Sequence, residues 1–78
     1  MRPNLNSLRS YIGRNVNLHL RDGTTIINVV VTGLKRNNHG RGATLYYRTP
    51  ENAREEIPLR DLAWVDQLNP HLFPRPKR

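Results

Sequence analysis

The sequence has no cysteine, which excludes disulfide bonds and thiolate metal sites. Its histidines, at positions 19, 39 and 71, do not have the spacing of metal ligands. It also lacks an apolar run long enough to cross a bilayer and a signal-peptide pattern near its start. We therefore expect a soluble, cytoplasmic, single-domain protein with no metal, no other cofactor and no membrane partner.

Acidic residues are scarce as well. Six Asp and Glu stand against 13 Lys and Arg, so the net charge is +7 and the isoelectric point is near 11.1. Nearly all of the cations are arginines, whose planar guanidinium groups bind phosphate or carboxylate in pairs of hydrogen bonds. This composition favours a polyanionic partner, above all nucleic acid, with acidic protein partners as the alternative.

Nothing in the sequence predicts catalysis. The carboxylates of Glu55, Glu56, Asp61 and Asp66 have no base or nucleophile at a meaningful spacing. The glycines around Arg41 do not stand between a strand and a helix, as a phosphate-binding loop requires. We expect a protein that is not an enzyme and has no catalytic residues.

A β-hairpin is the clearest structural prediction. Val16, Leu18 and Leu20 alternate with polar residues, which is typical of a strand with one buried face. Asp22 and Gly23 follow, and this pair predicts a two-residue turn in which both residues have positive φ.

The return strand, residues 24–35, is rich in β-branched residues and apolar on both faces. Such a strand is expected to be buried on two sides, in a small closed barrel or against another subunit. It is too long to stay flat in a small barrel, so we expect it to bend at Asn28 and Gly33.

The other elements are short. Leu5, Leu8 and Ile12 form one face of a helix of about two turns that ends near Gly13. Three more strands are predicted at residues 43–48, 55–59 and 63–68, with a single helical turn at 60–62. Pro58 marks an edge strand or a strand end. The domain therefore covers residues 1–68, and residues 69–78 form a proline-rich basic tail.

Several of these features occur together in one known family. They are Leu8, Ile12-Gly13, the run Val16-x-Leu18-x-Leu20-x-Asp22-Gly23, the long branched second strand and Trp64-Val65. From Leu5 to Leu68 the sequence resembles the Sm-like family, with Asn28 where that family usually has a glycine. The resemblance implies an all-β, strongly bent five-stranded barrel, SH3-like or Sm-like, with a short N-terminal helix. It also implies rings formed by pairing of the fourth and fifth strands, with RNA held by loops that line a pore.

The polar loop at residues 35–42 is the best candidate for binding nucleic acid, and the basic tail is the second. Their cations and amides suit phosphates and base edges, although a solvated hairpin loop would have the same composition. The predicted nucleic-acid-binding residues are Lys35, Arg36, Asn37, Asn38, His39, Arg41, Arg75, Lys77 and Arg78.

The aromatic residues divide between stacking and packing. One of Tyr46 and Tyr47 offers a platform for a base, and we expect Tyr47 to share the core face with Leu45. Trp64 is more typical of a core anchor or a subunit contact than of a base-stacking residue. Ile57, Trp64 and Val65 are the predicted oligomer interface, because their short strands would otherwise expose an edge.

Two functions follow from the sequence. The first is an RNA-binding Sm-like protein that prefers single strands and acts as a homo-oligomeric ring or within a ribonucleoprotein. The alternative is a non-enzymatic adapter barrel that docks on a larger protein complex. The salt dependence of RNA binding and the native mass distinguish them.

Overall fold

The computed structural model describes residues 5–37 and 42–68, which form one antiparallel sheet and a short helix. The elements are α1 (Leu5–Arg9), β1 (Asn15–Leu20), β2 (Thr25–Arg36), β3 (Ala43–Arg48), β4 (Arg54–Pro58), a 3₁₀ turn (Leu59–Asp61) and β5 (Leu62–Gln67). The strand order is β4-β3-β2-β1-β5. The predicted all-β, barrel-like fold with a short N-terminal helix is therefore confirmed.

The core lies on one side of this sheet, under α1. Leu45 and Tyr47 are both buried there, as the alternation of β3 predicts, while Tyr46 points to the opposite face and is half-buried. We call that opposite face the outer face. The buried apolar residues are Leu8, Val16, Leu18, Val29, Val31, Ala43, Leu45, Tyr47 and Leu62.

The long strand β2 is interrupted by a bulge at Asn28. Val16 pairs with Val29 and Leu18 pairs with Ile26, so β2 has one residue more than β1 over this interval. Asn28 adopts a φ of 56°, in the left-handed region that asparagine tolerates better than most residues. The extra residue puts Ile26 on the same face as Val29, so both pack toward the core.

A second bulge lies where β2 passes Gly33. Val31 pairs with Tyr47, but Gly33 pairs with Tyr46, so β2 again has one residue too many. Bulges bend a strand and increase its twist. Both positions expected to bend, Asn28 and Gly33, are therefore confirmed as irregularities of the strand.

The predicted burial of β2 on both faces is wrong for the single chain. Val29 and Val31 are buried, but Ile27 on the outer face is 65 % exposed. A bent sheet curves around its core face and leaves the opposite face outside, so bending does not bury Ile27. The apolar outer face of β2 thus stays in contact with solvent.

The turn between β1 and β2 differs from the predicted two-residue turn. Its loop has three residues, 21–23, closed by the Leu20 N–H donating to the Thr24 carbonyl (2.8 Å). Only Gly23 has positive φ, at 93°, while the Asp22 carboxylate accepts the Thr24 N–H at 2.8 Å. A three-residue loop needs a left-handed conformation only at its last position, so Asp22 does not have to adopt positive φ.

The N-terminal helix is shorter than predicted. It ends at Arg9, and turns with hydrogen bonds such as Tyr11 N–H to the Leu8 carbonyl (3.0 Å) continue to Gly13, where φ is 86°. This tighter winding rotates Ile12 away from the core, so Ile12 is 44 % exposed instead of packing beside Leu8.

The last elements of the chain are those that the sequence predicts, but their bounds differ from the predicted ones by about one residue. Pro58 is the last residue of β4, an edge strand, as predicted. The 3₁₀ turn begins at Leu59, and its Asp61 carbonyl accepts the Arg21 N–H at 2.9 Å. This bond joins the turn to the β1–β2 loop.

Candidate nucleic-acid interface

The predicted binding loop joins β2 to β3, and only its two ends are described. Lys35 and Arg36 are the last residues of β2 and both are exposed. Asn37 follows them. The other predicted binding residues lie outside the described residues: Asn38, His39, Arg41, Arg75, Lys77 and Arg78.

The neck of this loop is held by hydrogen bonds from Asn37. Its N–H donates to the Gly42 carbonyl at 3.0 Å, and its side-chain oxygen accepts the Thr44 hydroxyl at 3.1 Å. Gly42 has a φ of 97°, a conformation that suits glycine. The side-chain oxygen of Asn37 therefore shapes the loop, and Lys35 and Arg36 are the described residues that present charge.

The predicted interface residues divide into two groups. Ile57 on β4 and Val65 on β5 are half-buried and pack against the core of their own chain. Trp64 is 48 % exposed on the outer face of β5. In the described part of the chain each of these strands is hydrogen-bonded to one neighbouring strand, so both are edge strands.

Trp64 is not isolated on that face. It lies opposite His19 in the β1–β5 register, and the two rings stack with centroids 3.7 Å apart and an angle of 4° between their planes. The Nδ1 of His19 is 3.3 Å from the Thr25 hydroxyl. Its Nε2 is buried without a hydrogen-bond partner among the described residues. The indole of Trp64 therefore covers the His19 ring.

A groove of about 740 Å³ opens on the outer face of β2, β3 and β4, and sequence reasoning did not assemble it. It is lined by Thr32, Gly33, Tyr46, Tyr47, Arg48, Arg54, Glu55 and Glu56. Arg54 is the residue that was missed. Its signal was its position across the Thr49–Ala53 turn from Arg48, which made the two arginines a candidate cross-strand pair.

Two groups in or near these surfaces have shifted pKa values. Burial, and secondarily the negative charge of Glu55, raises the pKa of Tyr47 above 10.0. Hydrogen bonds from the N–H and hydroxyl of Thr24 lower the pKa of the Asp22 carboxyl. Tyr47 is therefore a neutral core residue at ordinary pH, whereas Tyr46 has its side chain on the outer face.

Other kinds of site have no support within residues 5–37 and 42–68. These ranges contain no cluster of His, Asp or Glu able to hold a metal ion. No helix in the described part of the chain has the length and hydrophobicity to cross a membrane. No protein-family model, no curated protein and no solved structure matches this chain.

Proposed function

We propose that this protein is an RNA-binding protein of the Sm-like type, which assembles into a homo-oligomeric ring and binds single-stranded RNA, by itself or within a ribonucleoprotein. The observation that carries the proposal is the strand order, which places β4 and β5 at the two ends of one antiparallel sheet of the described residues. Cationic residues at the loop end of β2 support the choice of RNA as the partner.

The two edges suit assembly because they are different strands. When β5 of one copy extends the sheet at β4 of the next, the contact is heterologous, and such contacts close into rings when the rotation permits. The strands have comparable lengths, five residues in β4 and six in β5. Pairing them would satisfy the edge groups and cover the remaining exposed surface of Ile57 and Val65.

The charge distribution supports binding of a polyanion. All six acidic residues lie within residues 5–37 and 42–68, so the residues outside these ranges carry positive charge only. These unopposed cations are Arg2, Arg41, Arg75, Lys77 and Arg78. A ring would repeat Lys35, Arg36 and Arg41 from every copy around one axis, and repeated cations attract a flexible phosphate backbone.

Salt dependence of RNA affinity, measured with native mass, tests this proposal. Replacing Arg36, Arg41 and Arg75 with glutamine should reduce the log–log slope by about 2, at roughly 0.7 per single-strand phosphate contact. The matched control replaces Arg9, Arg14 and Arg60 with glutamine. These three arginines are exposed, so the control variant loses the same amount of charge. Its slope should stay near that of the wild type.

The same measurements contradict the proposal if the wild-type chain is a monomer, or if it does not bind RNA even at low salt. An unchanged slope in the first triple variant would also contradict the predicted site. Each of these results would favour the adapter barrel, whose arginines face acidic proteins instead of phosphates.

A further inference from the structure

The outer face of the sheet has a gap above Gly33. Gly33, Tyr46 and Glu56 form one row across β2, β3 and β4 in the register of the sheet. Paired residues of an antiparallel sheet point to the same face, so Tyr46 lies between an empty position and a carboxylate. A Cβ atom added to Gly33 would meet nothing within 4 Å. The position beside Tyr46 on β2 therefore carries no side chain and is open.

The neighbouring row contains two opposed arginines. Arg48 pairs directly with Arg54, and both are exposed in the groove. Like charges at opposed positions are destabilising unless an anion lies between them. Glu55 and Glu56 line the same groove, but the ion pair found among the described residues joins Arg60 and Asp61, with 4.0 Å between Nε and Oδ1.

The turn that joins β3 to β4 fixes this arginine pair. The Thr49 N–H donates to the Ala53 carbonyl at 2.9 Å, and the Thr49 hydroxyl accepts the Ala53 N–H at 3.1 Å. The hairpin therefore holds Arg48 and Arg54 at directly opposed positions of the register. Arginines at opposed positions can both reach one phosphate, to which guanidinium groups donate charge-assisted hydrogen bonds.

We propose that this groove binds one nucleotide, with its base stacked on Tyr46, its phosphate between Arg48 and Arg54, and an amino group of the base donating to Glu56. A carboxylate accepts the cytosine 4-amino group but meets a carbonyl oxygen at the same position of uracil. The groove therefore selects amino-bearing bases. This inference rests on the proposed RNA-binding function and adds a subsite separate from Lys35 and Arg36.

Cytidine and uridine 5′-monophosphate are matched probes, because they share ribose and phosphate and their bases differ only at C4 and at the adjoining N3. We expect cytidine monophosphate to shift the amide resonances of Thr32 and Glu56 in the full chain and to bind about tenfold more tightly than uridine monophosphate. Glu56→Gln should abolish this preference, since an amide can also donate to the uracil oxygen. Equal affinity of the wild type for both nucleotides, or no shift of these amides, would overturn the proposal.

Variants of the groove separate binding from folding. Arg48→Gln with Arg54→Gln should weaken cytidine monophosphate at least about tenfold, yet raise the melting temperature, because it removes two opposed charges. Gly33→Val should fill the gap and abolish binding in a folded chain, since a β-branched residue suits a strand. The double variant of Arg9 and Arg14 is the control for loss of charge. Unchanged binding of cytidine monophosphate in either groove variant would overturn the proposal.

Two further binding measurements identify the ligand. If inorganic phosphate displaces cytidine monophosphate and binds with equal affinity, the base contributes nothing to binding. The groove would then bind anions only, and the role of Tyr46 would be overturned. A short oligocytidylate should bind more tightly than the monophosphate, whereas equal affinity would make the ligand a free nucleotide and overturn the RNA assignment. Because the monophosphate does not need the β2–β3 loop, loss of its binding is distinguishable from failure of the salt-slope experiment.

Discussion

The side-chain oxygen of Asn17 accepts the backbone N–H of Asn28 at 2.8 Å, directly across the first bulge of β2. The Asn15 side-chain amide in turn donates to the Asn28 side-chain oxygen at 3.1 Å. A bulge removes one residue from the regular ladder of strand pairing. Here two asparagines of β1 supply the hydrogen bonds that the ladder does not.

Substitutions at Asn28 should depend on backbone conformation more than on polarity. Asn28→Val should lower the free energy of unfolding by about 1–2 kcal/mol, because a β-branched residue is strained at a φ of 56°. Asn28→Gly, which adopts that φ easily, should cost less, although it loses the bond from Asn15. Urea denaturation measures both, and a valine variant as stable as the glycine variant would contradict the strained conformation.

Gly23 and Gly33 form a matched pair for testing the β1–β2 turn. Neither has an atom within 4 Å of an added Cβ, but only Gly23 has positive φ, at 93°. Gly23→Val should therefore destabilise the protein by about 1 kcal/mol or more, and Gly33→Val should not. Thermal and urea unfolding measure the stability of both variants. Equal losses of unfolding free energy at the two sites would contradict the explanation by backbone conformation.

The stacked pair of His19 and Trp64 should contribute to stability and to assembly separately. A double-mutant cycle with alanine should give a coupling energy of about 0.5–1.5 kcal/mol within one chain. Trp64→Ala should also lower the native mass. His19→Ala should not lower it, because Trp64 stays in place on the edge strand. An additive cycle together with wild-type assembly of Trp64→Ala would show that Trp64 has neither role.

Stability should fall at alkaline pH through Tyr47. Its pKa in the folded state is raised above 10.0, so the stabilisation is complete below the pKa of the unfolded chain and is lost as pH rises through the folded value. Tyr47→Phe should flatten the decline of unfolding free energy above about pH 10. The same substitution at Tyr46 is the control, and equal flattening in both variants would contradict the assignment to Tyr47.

The sequence predicts the local features well because local chemistry determines them. The alternation of residues 43–48 predicted β3 with the observed bounds and placed Tyr47 beside Leu45. Asn28 and Gly33 were expected to bend β2, since both residue types tolerate conformations that β-branched residues do not. These predictions need no knowledge of neighbouring strands.

The features that were missed depend on contacts between distant residues. Ile12 follows the helical spacing, but the Gly13 N–H donates to the Val31 carbonyl at 2.7 Å, and this bond replaces the last helical turn. The groove was missed for the same reason. Tyr46 meets Gly33 only through the β2–β3 register, which shifts by one residue at the bulge beside Gly33.

The position of β5 also determines how the chain folds. Three successive hairpins bring β1 to β4 together through short loops, whereas β5 pairs with β1 at the far end of the chain, for example Asp66 with Asn17. Closing such a large loop costs entropy before any contact is gained, and contacts distant in sequence slow folding. We therefore expect the meander of β1–β4 to form first and the docking of β5 to limit the folding rate, so that the edge at β1 is transiently open to other chains.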